Sequence, residues 1–485
     1  MRILILAANF ITVPYPVYPL GASVIAESTR RLGHEVRLLD LLAENDFAGY
    51  DPEILRRAIE DFRPDCLGLS LRNLESADSG TELGGDSAST RPRRGNITVA
   101  APAHCPNRGA DEHWSLDLIR RIIADIRRIS QAPVVLGGAG FSLMPEMVLK
   151  QTGADYGLAG EGEEIWPAFL EAFNQGRVAK GLRPRAKPGA RQLNAYEPEL
   201  VRRYAERGGL IGLQTKRGCP LNCLYCSYPL LEGRRIRPRP TEEVIDDIAR
   251  LTSIIEKPHM AFADAVFNDP AGHWRELLQA LVESGLKVSW TAFFQPTEFE
   301  MADFELIKAS GASGLEFGTD GSNDAALRGL QKPFNFDLVR QIQDRCSAAG
   351  IPAAHYVIFG GPGETDETVE EGLENINGLN NCVAFISAGL SIYPDTPLFE
   401  LARAEGLLND YMDLGRPLFY YSPSIDPQRL HQRLASVFGS RRDRLYPPSR
   451  AIESTEALRR MGYRGILWDT LIGAGRRRGR MAANA

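Results

Sequence analysis

Along the first 175 positions short apolar runs alternate with stretches of helical period. Residues 3–8 are an apolar run, and 19–32 repeat with helical spacing before Gly33, a residue that ends helices because it enters left-handed backbone freely. Residues 35–41 read as the next strand, 52–62 as a helix and 66–71 as a third strand. Then come a helix over 115–129, a strand over 134–136, a helix after Pro145, a strand over 156–159 and a helix opened by GEGEE. Such alternation predicts a doubly wound, Rossmann-like parallel α/β sheet over 1–175, with any ligand beyond the carboxyl ends of its strands.

Two stretches interrupt the pattern. Residues 74–112 are rich in Gly, Ser, Pro, Asp and Arg without periodicity, which predicts a mobile lid over a ligand or a flexible insertion, and GRVAKGLRPRAKPGARQ opens an expected linker over 176–205. Strand–helix units resume from 206, with strands expected at 210–215, 259–263, 288–293, 314–317, 354–359 and 384–392. Six such units over 206–406 predict a partial (β/α)6 barrel of the TIM type, with its chemistry at the strands' carboxyl ends. The remainder, 407–485, reads as a small, mostly helical region. Its helix falls near 427–438, its aromatics Phe419, Tyr420, Tyr421 and Trp468 read as core or as a cover for a cavity, and its basic end is a solvated tail.

Composition narrows the class. The formal net charge is −6, with 44% hydrophobic and 24% charged residues. This disfavours a nucleic-acid partner, which needs a basic face. The apolar start MRILILAANF is too short for a signal sequence and has no cleavage site, and no run approaches a membrane span. A cytoplasmic chain without membrane contact is expected.

Of seven cysteines, Cys66, Cys105, Cys346 and Cys382 are scattered and read as buried small residues. Cys219, Cys223 and Cys226 instead lie within eight residues as C-x3-C-x2-C, directly after the first barrel strand. Thiolates are the soft ligands that iron–sulfur clusters require. Three of them leave a fourth iron open, able to chelate the amino and carboxyl groups of S-adenosylmethionine (SAM). A zinc site is the alternative, but zinc usually takes four ligands and no fourth Cys or His is near.

GCPLNCLYC, with Tyr225 before the last cysteine, resembles the radical SAM signature. FADAVFNDP (262–270), LEFGTDGSNDAALRGLQKPF (315–334), FGGPGET (359–365) and IYPDTPLFELARAEG (392–406) resemble later barrel segments of that family. The set is similar to the branch with an N-terminal cobalamin-binding domain, and within it to class B methyltransferases of antibiotic pathways. The resemblance implies a [4Fe–4S] cluster on Cys219, Cys223 and Cys226, with SAM contacted by Tyr225. The usual GGE after the second strand is missing, which leaves Asp264 as the polar group there. Glu316 and Asp320 are candidates for the ribose or amino group of SAM, with Glu316 pairing inside the barrel as the alternative. Gly360 and Gly361 would let backbone approach adenine.

The first domain lacks GxGxxG. PLGASVIAESTRRLGHEVRLLD (19–40), SLRN (70–73), VVLGGAGFSLMPEMVL (134–149) and GLAGEGEE (157–164) are similar to cobalamin domains of that branch. Gly137, Gly138, Gly160, Glu161 and Gly162 are the implied cobalamin contacts, although such turns also occur without ligands. The DxHxxG that supplies a cobalt-ligating histidine is absent, and Asp111-Glu112-His113 is a partial echo without the glycine. Arg72, on the loop after the third strand, is the candidate neighbour of the lower face of cobalt, with a surface or corrin-amide contact as the alternative. Together these features imply C-methylation of an unactivated carbon in a small molecule through a 5′-deoxyadenosyl radical and methylcobalamin. An external electron donor of flavodoxin or ferredoxin type is implied too. Rearrangement or cyclisation without methyl transfer is the rival reading, and a non-catalytic cobalamin-binding protein is the rival from another class.

Overall fold

The computed structural model describes residues 1–10, 15–74, 97–99, 115–185, 188–189, 193–297, 299–408 and 418–472. Two parallel sheets organise them. The first contains β1 (Arg2–Ala7), β2 (Glu35–Asp40), β3 (Cys66–Ser70), β4 (Val134–Gly137), β5 (Tyr156–Gly157) and β6 (Gly181–Leu182), in the order β2-β1-β3-β4-β5-β6. Ile3 to Ala7 are buried without alternation, as expected for a strand covered by helices on both faces. The helix Pro52–Phe62 starts where the Asp51 carboxylate accepts the Glu53 N–H at 2.9 Å and Pro52 takes the first helical position. Residues 176–205 are not bare linker: Gly181–Leu182 extends the first sheet, and Pro198–Glu206 is a helix.

The second sheet runs β7 (Ile211–Leu213), β8 (His259–Phe262), β9 (Ser289–Phe294), β10 (Ala312–Asp320), β11 (Ala353–Phe359), β12 (Cys382–Ala388) and β13 (Arg444–Leu445), each parallel to the next. This is the expected partial barrel, extended at its far edge by β13, a pair of residues too short for hydrophobic patterning to reveal. Of the stretch 74–112, Ile97–Val99 pairs antiparallel with Leu418–Tyr420. Phe419, Tyr420, Tyr421 and Trp468 are all core residues.

The sheets share one continuous apolar core, from Leu4 and Leu67 through Tyr18 and Tyr204 to Ile211 and Met260. Tyr204 donates to Asp40 at 2.9 Å, and Val17 pairs with Leu210 just before β7. Tyr15, from the loop entering the first helix, and Ile466 and Trp468, from the segment after the helix Ala451–Arg460, plug the barrel by packing against Leu210, Ala354 and Val383. Gly314 has no side chain because a Cβ there would lie 2.7 Å from the Trp468 ring. With that end sealed, the opposite end of the barrel faces the carboxyl ends of the first sheet. No helix among the described residues is long and apolar enough to cross a membrane.

Candidate active site

The cysteine loop begins immediately beyond β7. Lys216–Arg217 pairs with Arg237–Pro238 as a two-residue ribbon. Gly218 then turns with φ 92°, and a Cβ there would sit 2.1 Å from the Arg235 carbonyl oxygen, so the turn into Cys219 requires glycine. The Cys219 N–H donates to the Gly233 carbonyl at 3.1 Å, the Leu224 N–H to Leu330 at 3.1 Å, and the Leu398 N–H to Leu224 at 2.9 Å. Cys219 and Cys223 are buried, and Cys226 is half-buried. Burial pushes the Cys219 thiol up and the Cys226 thiol up to about 12, so both are neutral until a metal displaces their protons. Among the described residues no three His, Cys, Asp or Glu groups converge on one ion position. A cube distributes its three thiolates over three irons and does not need that convergence.

Asp264 lies under this loop. Its carboxylate accepts from the Thr215 N–H at 2.8 Å, the Thr215 hydroxyl, the Lys216 N–H at 3.2 Å and the Lys216 ammonium at 3.2 Å. Lys216 is buried and also meets Asp269 at 3.4 Å. In this state Asp264 braces the strand that carries the cysteines.

At the barrel mouth the Tyr225 hydroxyl donates to Asp320, whose carboxylate also pairs with Lys332. The Lys332 ammonium lies 5.6 Å from the centre of the Tyr225 ring and beside Cys223. Burial opposes its charge, yet Asp320 and Cys223 more than offset this and hold its pKa above the ordinary lysine range. Tyr225, Asp320, Lys332 and Cys223 thus form one group at the open end. Glu316 is elsewhere, inside the barrel toward the sealed end, accepting from Thr291 at 3.0 Å, Tyr356 at 2.8 Å and Tyr15 at 3.4 Å. Burial raises its pKa. The Gly360 and Gly361 N–H groups point at the Glu364 carboxylate, at 2.8 and 2.7 Å. The side chain nearest Gly360 is Tyr421.

Between the two sheets lies a cavity of about 680 Å³. Arg72, Gly137, Gly138, Gly160, Glu161 and Gly162 line it from the first domain, and Gln214, Arg217, Tyr228 and Ala263 from the barrel. Arg72 is exposed into this space. Gly138 is set by packing, since a Cβ would meet the Leu71 carbonyl at 2.4 Å. Glu161 is buried and pairs with Arg237 and Arg217, while Glu163 takes Arg217 at 2.5 Å. The cavity descends between sheet and helices past Ala7, Ala22 and Gly68, where a Cβ would lie 2.8 Å from Ile5 and 3.1 Å from Trp166. Cys66, Cys346 and Cys382 are buried; Cys105 and His113 lie outside the described residues.

Sequence reasoning missed Lys332, Lys216, Arg217, Arg237 and Gly68. Lys332 stands in the quoted GLQKPF, where a lone lysine reads as solvated surface. Only the fold shows that Lys332 and Lys216 are buried beside the cysteine loop.

Residues 213–376 match the family model of the radical SAM superfamily. The chain is 24% identical over 463 aligned residues to tryptophan 2-C-methyltransferase of Streptomyces laurentii, covering 78% of this chain and 71% of that one. Its fold follows that of the radical S-adenosylmethionine methyltransferase TsrM from Kitasatospora setae. The structure of TsrM with tryptophan and a SAM analogue superposes with a TM-score of 0.77 at 22% identity over 99% of both chains. The structure of TsrM with cobalamin and a [4Fe–4S] cluster gives 0.75 at 21% over 100% of both.

Proposed function

We propose, from the premise that residues 213–376 make this chain a member of the radical SAM superfamily, that it is a cobalamin-dependent methyltransferase acting on an unactivated carbon of a small molecule. One observation carries the reading. The cysteine loop runs on into Ser227, Tyr228 and Glu232, and these residues line one cavity together with Leu71, Arg72 and Gly137 at the carboxyl ends of the first parallel sheet. A site at the cysteines and a site of different chemistry at the sheet ends would thus adjoin.

The residues fit the groups that this reading requires. Cys219, Cys223 and Cys226 are three soft donors in one braced loop, the set for a [4Fe–4S] cluster with one open iron. Lys332 and Asp320 offer opposite charges beside that loop, suited to the carboxylate and amino groups of SAM, and Tyr225 offers a ring face. Around the cavity, Gly68, Ala7 and Ala22 leave a slot beside the sheet for the nucleotide tail of cobalamin. Among the described residues lining the cavity none is a histidine, while Arg72 presents a cation. A guanidinium has no lone pair free for a metal, so Arg72 would stand beside bound cobalamin as a charge and not as a ligand. When bound, the cluster supplies the electron that cleaves SAM and cobalamin supplies the methyl group. The chain itself would position both. The activity would be cytoplasmic and draw on a flavodoxin- or ferredoxin-type donor.

Tryptophan 2-C-methyltransferase, the relative aligned over most of this chain, is a C-methyltransferase by name and favours methyl transfer over rearrangement. The test is anaerobic reconstitution with iron, sulfide and hydroxocobalamin, followed by incubation with SAM and a strong reductant. Formation of both 5′-deoxyadenosine and S-adenosylhomocysteine is expected. 5′-Deoxyadenosine alone would favour rearrangement, and neither product with an intact cluster would overturn the enzymatic reading.

A further inference from the structure

The barrel interior above its seal carries a row of aromatic rings that the cofactor sites do not use. Thr291 and Phe293 face inward from β9, since Thr291 bonds Glu316 and Phe293 is two residues on, in register with Glu316. Tyr356 on β11 bonds the same carboxylate, and Phe385 on β12 is in register with Tyr356. The Tyr356 and Phe385 rings stack at 4.9 Å and 14°, and Phe293 stands 5.2 Å from Tyr356 at 50°. Phe385 is 4% exposed, whereas Phe293 is 43% exposed. The row therefore ends on an open aromatic face. Its one polar edge, the Tyr356 hydroxyl, is committed to Glu316 at 2.8 Å.

Small residues stand across from this face. A Cβ on Gly212 would meet nothing within 4 Å, and Ala263 follows the residue paired with Ala292. Gly212, Gln214 and Ala263 also line the cavity between the domains, so the interior opens into it beneath the cysteine loop. A rigid apolar face left open beside an unfilled space is the arrangement of a ligand site. Rings pair best with other rings, offset or edge-on at about 4.5–7 Å, because their quadrupoles complement one another.

We propose that the space between Gly212 and Phe293 seats the substrate and takes a planar aromatic ring laid against Phe293 and Tyr356. This rests on the methyltransferase reading and names the substrate class for that same site. A ring held there lies within the barrel below the Tyr225–Asp320–Lys332 group and opens toward the cavity.

The test uses holoenzyme reconstituted with iron, sulfide and hydroxocobalamin, titrated calorimetrically with two probes of matched size and charge: naphthalene-2-carboxylate and decahydronaphthalene-2-carboxylate. The aromatic probe is expected to bind roughly tenfold more tightly. Phe293→Leu should weaken it roughly three- to tenfold and leave the saturated probe unchanged. Gly212→Val, at a position with ordinary backbone, should abolish both while the cluster absorption band stays in place. Equal affinity of the two probes, indifference to Phe293→Leu, or no binding of either at millimolar concentration would overturn the proposal. Failure of the underlying reading looks different: the aromatic probe binds as described, yet no S-adenosylhomocysteine forms with any aromatic compound.

Discussion

Glu161, on the turn after β5 of the first sheet, is paired through both carboxylate oxygens with Arg237 on the ribbon beneath the cysteine loop. The same carboxylate accepts the Gly189 N–H at 2.8 Å, and Arg217, two residues before Cys219, joins it to Glu163. This clamp ties the turn lining the cavity to the stem of the loop that would hold the cluster. Removing one member leaves buried charge uncompensated. Glu161→Ala is expected to cost about 2–3 kcal/mol in denaturant unfolding. It should also lower both iron and cobalamin content of reconstituted protein, because one contact serves both sites. Loss of cobalamin alone, with iron intact, would show that the loop stem stands without the clamp.

Cys223→Ala should abolish iron incorporation and 5′-deoxyadenosine formation together, leaving cobalamin uptake intact because Cys223 is not among the residues that line the cavity. Iron analysis and product chromatography on the same sample check this. Persistent 5′-deoxyadenosine would remove the cluster assignment.

Lys332 places a cation beside Cys223 and Asp320. Lys332→Met removes the charge while keeping much of the chain's bulk. A nearby positive charge favours the reduced cluster, so the variant's reduction potential should fall by about 60 mV, a tenfold change for one electron. SAM affinity should fall as well if the ammonium meets its carboxylate. Potentiometric titration followed by electron paramagnetic resonance reads the first effect, and equilibrium binding reads the second.

Burial pushes the Glu364 carboxyl up to about 7, although two backbone N–H groups pull the other way. Its ordinary value is 4.5. Below that value both folded and unfolded chains hold the proton and the group has no effect. Between about pH 4.5 and 7 the unfolded chain loses the proton first, so stability falls as pH rises, by about 3 kcal/mol in the limit. Glu364→Gln keeps a carbonyl for Gly360 and Gly361 but cannot ionise. Its stability should therefore gain on the parent across that window and level off above it. Parallel urea unfolding curves at pH 5 and pH 8 decide: a constant difference between the two proteins would mean that Glu364 is ionised throughout.

Gly68 lies on β3, where the slot beside the sheet would hold the cobalamin tail. Gly68→Leu should block cobalamin uptake and cost about 1–3 kcal/mol through contact with Ile5 and Trp166. The visible absorption of bound cobalamin after desalting measures it. Stoichiometric uptake would place the tail elsewhere.

The sequence by itself determined the two parallel sheets, their order along the chain and the cysteine triad. These are local properties: strand and helix periods are written in consecutive residues, and a loop ligating one cluster needs its thiols close in sequence. Tyr225 was legible for the same reason, since it lies inside that loop. The tertiary structure decided everything that depends on residues far apart in the chain. The sequence offers Asp264 and Glu316 as SAM contacts, with an ion pair inside the barrel as the alternative for Glu316; the fold saturates Asp264 with Thr215 and Lys216 and sets Glu316 deep between Thr291, Tyr356 and Tyr15. Lys332 and Arg217 carry no local mark of burial, and only the return of distant segments surrounds them. The row of Phe293, Tyr356 and Phe385 is assembled from three strands spread over some ninety residues. No sequence period records it, because which face of a strand looks inward is fixed only when the barrel closes.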